Sequence, residues 1–192
     1  MTKQEIREEF LEKRKNLSIP EYEELNEDIS NHLRDFLKET PPNAILASFF
    51  PIASKKEVNT ILFHQWMRDE PHNFQIALPK TFGKEMNFYL FEEKSILEKS
   101  EIGVMEPVEK ISQLIKPEKI DLILVPLIAV DIRGHRVGYG KGFYDRYLKR
   151  LTSKTRIVGL SIDLPIEPIS DIDNHDFPLE IVITPHGIHK FN

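Results

Sequence analysis

Apolar positions along this chain change their spacing twice, and each change marks a different kind of element. The first stretch is helical. Thr2 followed by Glu5 makes a capping box, and Ser18 followed by Glu21 repeats it ahead of a second helix. In that second helix Tyr22, Leu25, Ile29, Leu33 and Phe36 recur every three or four residues, the spacing of one buried face. The segment "TPPN" then ends it, because proline blocks both helix continuation and the α conformation of its predecessor.

From there the apolar runs shorten. "AILASFF" reads as a strand, "PIASKKE" as a loop and "VNTILFHQWMRDE" as a helix with Trp66 on its core side. "FQIALP" and "MNFYLFEE" read as two more strands, the second alternating as an edge strand would. "KIDLILVPLIAV" is the most apolar stretch, and as far as Pro126 it predicts a strand buried on both faces. A glycine-rich segment follows, then a helix over "GFYDRYLKRL" and strands over "TRIVGLSID" and "EIVITP". Apolar strands alternating with helices predict an α/β fold, a three-layer α/β/α arrangement around a mostly parallel sheet. At 192 residues the chain fits one domain spanning 1–192, with no internal repeat and with 13 prolines that punctuate loops.

Composition narrows the function classes. A net charge of −5 argues against a nucleic-acid binder working through global charge, so any anion site is local. With no cysteine there are no disulfides, thiolate metal sites or thiol nucleophiles. The N-terminus lacks an apolar signal segment, and no run approaches the length of a membrane span. A cytoplasmic monomer with no nucleic-acid or membrane partner is the expectation.

Candidate chemistry sits in two places. On a helical wheel with Lys3 at zero, Arg14 falls at about 20° and Arg7 at about 40°, inside the stripe of Ile6, Phe10 and Leu17. The glutamates crowd the opposite side. Such cations either bury their stems and snorkel past the core edge, or, for Lys3 and Arg7, reach an anionic ligand lying across the helix. The second place is "RVGYGKGFYDR", residues 136–146. Gly138, Gly140 and Gly142 permit positive φ and close main-chain approach, a helix follows, and Arg136, Lys141 and Arg146 supply cations for phosphate oxygens. The segment is not a Walker loop, since Lys141 precedes Gly142 where a hydroxyl would be needed. Nor is it a dinucleotide fingerprint, since it reads G-x-G-x-G late in the chain. Asp145 either favours a helix N-terminus or, beside a bound triphosphate, carries Mg²⁺. His186 and His189, and the "DIDNHD" cluster around His175, read as solvated loop.

The glycine segment, preceded by "VPLIAVDIRGH", resembles the signature of the 5-formyltetrahydrofolate cyclo-ligase family, also called methenyltetrahydrofolate synthetases. Val137 and Phe143 are mild replacements within it. The likeness extends to "K-x-x-I-R" from Lys3 to Arg7, to "SFFPIASKKEVNT" and to "HDFPLEIVITP". The resemblance implies the fold shared by sugar-phosphate isomerases and CoA transferases. It implies that MgATP and 5-formyltetrahydrofolate give 5,10-methenyltetrahydrofolate, ADP and phosphate through a phosphorylated formyl group, an iminophosphate. It further implies ATP contacts at Lys3, Arg7, Arg136, Val137, Gly138, Tyr139, Gly140, Lys141, Gly142, Phe143 and Tyr144. Arg136 and Lys141 would neutralise the charge moving in the transfer, Asp145 would hold Mg²⁺, and Ile52, Glu57 and Tyr139 would contact the folate. Some family members carry a second Mg²⁺ aspartate where this chain has His186. The competing reading is a non-catalytic α/β module that uses the same loop to bind a nucleotide or sugar phosphate.

Overall fold

In the computed structural model, which describes residues 1–69, 73–100 and 103–191, both capping boxes form. The Thr2 hydroxyl accepts from the Glu5 N–H at 3.3 Å, and the Glu5 carboxylate accepts from the Thr2 N–H at 2.8 Å. They open α1 (Lys3–Asn16) and α2 (Ile19–Leu37), which are separated only by Leu17 and Ser18. The helical stripe of α2 buries Ile29, Leu33 and Phe36 as its spacing requires.

Next come β1 (Ile45–Ala47), α3 (Ile61–Asp69), β2 (Gln75–Phe82) and β3 (Glu85–Phe91). A small hairpin of β4 (Leu97–Lys99) and β5 (Met105–Pro107) leads to β6 (Leu114–Ile115) and β7 (Leu122–Pro126). The ribbon of β8 (Ala129–Val130) and β9 (Arg136–Val137) precedes α4 (Phe143–Leu148), β10 (Arg156–Leu160), β11 (Ile181–Thr184) and β12 (Gly187–Lys190). Eight strands form one sheet in the order β12-β11-β10-β7-β1-β2-β3-β6. The five from β11 to β2 are parallel, and the strands outside them pair antiparallel. Strand β7 lies at the centre with Leu122 to Val125 buried, which is why its sequence is apolar without alternation.

The helices cover both faces. α2 and α3 pack on one, with Leu33, Phe36, Phe63 and Met67 against Leu122 and Leu124. α4 packs on the other, with Tyr147 and Leu148 against Phe88, Ile123 and Val125. A third cluster joins Ile6 and Phe10 of α1 to Ile128, Ala129 and Val137, beyond the end of β7. The chain moves from β1 through α3 to β2 on one side, and from β7 through α4 to β10 on the other. Right-handed crossovers running in opposite directions place their helices on opposite faces. They also open a crevice beyond the strands' carboxyl ends, between β1 and β7.

Several elements differ from expectation. β1 stops at Ala47, opposite Ala77, whereas β2 runs five residues further, to Phe82, with β3 as its partner. Pro79 is tolerated there because no β1 residue lies alongside to be denied a donor. β3 is not an edge strand, since β6 covers it at Phe88 and Tyr89. Helix α3 starts at Ile61 and not at Val58, its first turn closed by the Phe63 and His64 N–H groups on the Thr60 carbonyl, while the Asn26 side chain holds the Asn59 N–H at 2.6 Å; Glu70, expected to end that helix, lies outside the described residues. The C-terminal "TPHGIHK" is a hairpin rather than a loop, with β12 paired to β11. Among the described residues no helix is long and apolar enough to cross a membrane.

Candidate active site

The crevice is a cavity of about 910 Å³. The segment 136–146 forms one side of it and the turn after β1 the other, with Thr81, Met86 and Glu106 of β2, β3 and β5 along the floor.

The glycine segment is positioned by its neighbours rather than by its own flexibility. Asp131, fully buried, accepts main-chain N–H groups of Arg133, His135 and Ile169, and so closes the turn between β8 and β9. Val137 then pairs with Ala129, and its side chain is buried against α1. Expected among the nucleotide contacts, Val137 does not line the cavity. The alternation of β9 turns it towards the core while Arg136 faces the crevice. At Gly138 the carbonyl accepts from Arg7 Nε at 2.9 Å, which ties α1 to the loop. Gly140 and Gly142 have φ of +80° and +66°, and Gly142 caps α4. The positive φ at Gly142 is the ground on which this position takes glycine.

The cations are held in different ways. Arg136 is buried, donating from Nη2 to Asp145 Oδ1 at 2.6 Å and from Nη1 to the Phe177 carbonyl. Burial pulls its guanidinium pKa down, and the Asp145 charge beside it opposes that shift. Lys141 stands exposed at the rim, with no ion-pair partner among the described residues. Arg146 donates to the Lys84 and Lys141 carbonyls at 2.9 Å each and braces the loop. Lys3 lines the cavity but is paired with Asp176, so it faces any ligand as half of an ion pair. Asp145 gives Oδ1 to Arg136 and to the Phe177 N–H, while no described residue donates to its Oδ2. With its side chain 31% exposed on the cavity, it offers one carboxylate oxygen, the donor set Mg²⁺ accepts when phosphate oxygens and water complete the shell. His186 and His189 lie in the β11–β12 hairpin away from the cavity, with His189 Nε2 3.0 Å from the Thr184 hydroxyl. Among the described residues no group of three or more acids and histidines is arranged for a metal.

Across the cavity, a turn of 3₁₀ helix at 53–55 and Lys56 in the left-handed region (φ 45°) swing Glu57 back over the chain. Its Oε2 accepts from the Ile52 N–H at 2.5 Å, so the two residues form one wall. Glu57 is 4% exposed. Burial pushes its carboxyl pKa up, while the Ile52 N–H, the Tyr139 hydroxyl and the charges of Arg14 and Lys55 pull it back. Tyr139 reaches across from the glycine loop, with Lys55 Nζ 4.4 Å from its ring centroid. Burial raises the Tyr139 phenol and the nearby Glu57 raises it further.

Sequence reasoning missed Glu106, a buried acid on the cavity floor that accepts from the Thr81 hydroxyl at 2.8 Å. It also missed Lys55. Glu106 lies in a three-residue strand without alternation to place it, and Lys55 reads as one charge in a polar loop.

The model of the 5-formyltetrahydrofolate cyclo-ligase family matches residues 1–185. The 5-formyltetrahydrofolate cyclo-ligase of Haemophilus influenzae is 24% identical over 179 residues, 92% of this chain and 94% of that one. The Mycoplasma pneumoniae protein of the same name is 28% identical over 162 residues, 84% of this chain and 85% of its own. Among solved structures, a 5,10-methenyltetrahydrofolate synthetase from Mycoplasma pneumoniae superposes with a TM-score of 0.75 at 26% identity, covering 96% of this chain and 99% of that one. The Aquifex aeolicus 5,10-methenyltetrahydrofolate synthetase gives a TM-score of 0.74 at 32% identity, covering 100% of this chain and 94% of the other.

Proposed function

The chain belongs to the 5-formyltetrahydrofolate cyclo-ligase family, and on that premise we propose that it closes 5-formyltetrahydrofolate to 5,10-methenyltetrahydrofolate with cleavage of MgATP. The formyl oxygen attacks the γ-phosphorus and ADP leaves. N10 then attacks the activated formyl carbon, the C–O bond breaks to release phosphate, and N10 loses its proton. Phosphorylation turns a poor leaving group into a good one, so the protein's task is to align two substrates and stabilise moving charge.

The arrangement that carries this reading is the division of one cavity. The glycine loop with Arg7, Arg136 and Lys141 lines one side, and Glu57 with Ile52 lines the other. The first side suits a triphosphate: main chain without side chains in the way, flanked by cations. Asp145 Oδ2 would hold Mg²⁺, which neutralises phosphate oxygens. The second side suits a reduced pterin, whose paired N–H donors need a buried acceptor such as Glu57. Tyr139, carried by the loop and facing Glu57, stands where the two substrates would meet.

The test is a turnover assay with 5-formyltetrahydrofolate, ATP and Mg²⁺, following the methenyl chromophore and omitting each component in turn. Product that requires all three is expected. Folded protein that binds ATP but makes no methenyl product would overturn the reading and leave a nucleotide-binding module.

A further inference from the structure

The charge of Arg14 is used by neither the fold nor the proposed chemistry as described so far. It lies in the same stripe of α1 as Lys3 and Arg7, yet it is 1% exposed and does not line the cavity. Its Nη2 donates to the carbonyls of Leu127 at 2.9 Å and Ile128 at 2.8 Å, just past β7, while Nε and Nη1 have no hydrogen-bond partner. No carboxylate lies within ion-pair distance of it among the described residues. A leucine or methionine would fill this stripe without the penalty of burying an unpaired charge.

Helix α1 packs against the 53–55 turn that leads to Glu57, so this buried charge lies behind the substrate wall. The Tyr139 hydroxyl and the Glu57 carboxylate both feel it, as does the Tyr22 hydroxyl, which donates to the Glu57 carbonyl at 2.5 Å. The Tyr139 hydroxyl lies beside both Glu57 and Arg14, and like Arg14 Nε it makes no hydrogen bond of good geometry. Two groups with unmet bonds therefore stand behind Glu57 on the folate side.

We propose that Arg14 is a positioning residue for the reaction: anchored on the Leu127 and Ile128 carbonyls, it supplies, with the Tyr139 hydroxyl, the countercharge that keeps Glu57 an ionised acceptor for the N–H donors of the pterin. The inference rests on the folate reading above. Glu57 is faced by the Ile52 N–H, by Tyr139 of the loop, by Arg14 of α1, by Lys55 of its own turn and, with opposite effect on neighbouring phenols, by Tyr22 and Tyr144. Only the ionised acid accepts from two N–H groups, so folate binding is full above its pKa and lost as pH falls through it. Removing Arg14 removes a charge that holds this pKa down, and the loss moves to higher pH.

The experiment measures KM for 5-formyltetrahydrofolate against pH for the wild type, Arg14→Lys, Arg14→Met and Tyr139→Phe. In Arg14→Met, which loses the charge, and in Tyr139→Phe, which loses the hydroxyl, the acid limb moves to higher pH, with kcat less affected than KM. Arg14→Lys keeps the wild-type limb. A KM raised by one factor at every pH, or not raised, makes Arg14 merely structural and overturns the inference. Where Arg14→Met fails to fold, Arg14→Gln, which can still donate to the Leu127 and Ile128 carbonyls but carries no charge, decides, and an unmoved limb there sinks the proposal. A wild type without folate turnover fails the underlying reading instead.

Discussion

Asp145 divides its two oxygens between Arg136 and the cavity, and this shapes what its replacement does. On the proposed reading Asp145→Asn removes the charge that would hold Mg²⁺, so kcat falls on the order of a hundredfold or more, the scale for losing one group that stabilises developing charge. It also strips a buried guanidinium of its counter-charge, so the melting temperature drops as well. Measuring both separates the roles: unchanged turnover would remove Asp145 from the metal site, and an unchanged melting temperature would remove its pairing with Arg136 from the stability balance. Asp131 offers a pH signature at the same scale. Burial would raise its carboxyl, but the N–H groups of Ile169, Arg133 and His135 and the Arg133 guanidinium outweigh this and hold it below its ordinary 3.8. Its stabilisation is full above the unfolded value and lost as pH falls through the lower folded one. Asp131→Asn is expected to be less stable at neutral pH and to lose less on acidification. A steeper acid loss in a denaturant titration would contradict that assignment.

At the scale of elements, legibility followed length. α1 and α2 carry a cap and several turns of stripe each, and β7 carries five apolar residues in a row, so all three were legible. The β4–β5 hairpin, the β8–β9 ribbon and β6 were not, because two or three residues hold too little of a period to register unless, as in β1, they sit in a longer apolar run. β12 was hidden by the reading of its histidines as loop. Glycine has a different meaning in β10 than in the loop. A Cβ at Gly159 would lie 2.7 to 2.9 Å from side-chain carbons of Leu179, Leu127 and Val182, on the face where β10 meets the loop chain. Gly159→Ala is therefore an overpacking change, expected to cost about 1–3 kcal/mol in denaturant unfolding while ATP binding stays intact. A stability within a few tenths of wild type would mean that Leu179 and Leu127 move aside freely.

On the scale of the whole molecule, the motifs named the cavity's two sides, but only the fold explains why they share it. Lys3, Arg7, Ile52, Glu57 and the segment from Gly138 to Asp145 come from three distant parts of the chain. The switch in strand order between β1 and β7 brings two of them to one crevice, and the docking of α1 beyond β7 brings the third. That Arg14 would turn its charge onto Glu57 rather than outward could not be read from a wheel, which gives direction around a helix and not the distance to what lies there.

The docking of α1 also sets an order of assembly. Arg7 meets Gly138 across 131 residues, Lys3 meets Asp176 across 173, and the Met1 carbonyl accepts from the Ser170 N–H at 3.0 Å. Helix α1 is thus held by segments far from it along the chain. Closing those contacts costs more chain entropy than joining β1, α3 and β2, which are neighbours in sequence. On the proposed reading the nucleotide side of the cavity, which needs α1 beside the glycine loop, is therefore complete only once these long-range contacts have closed.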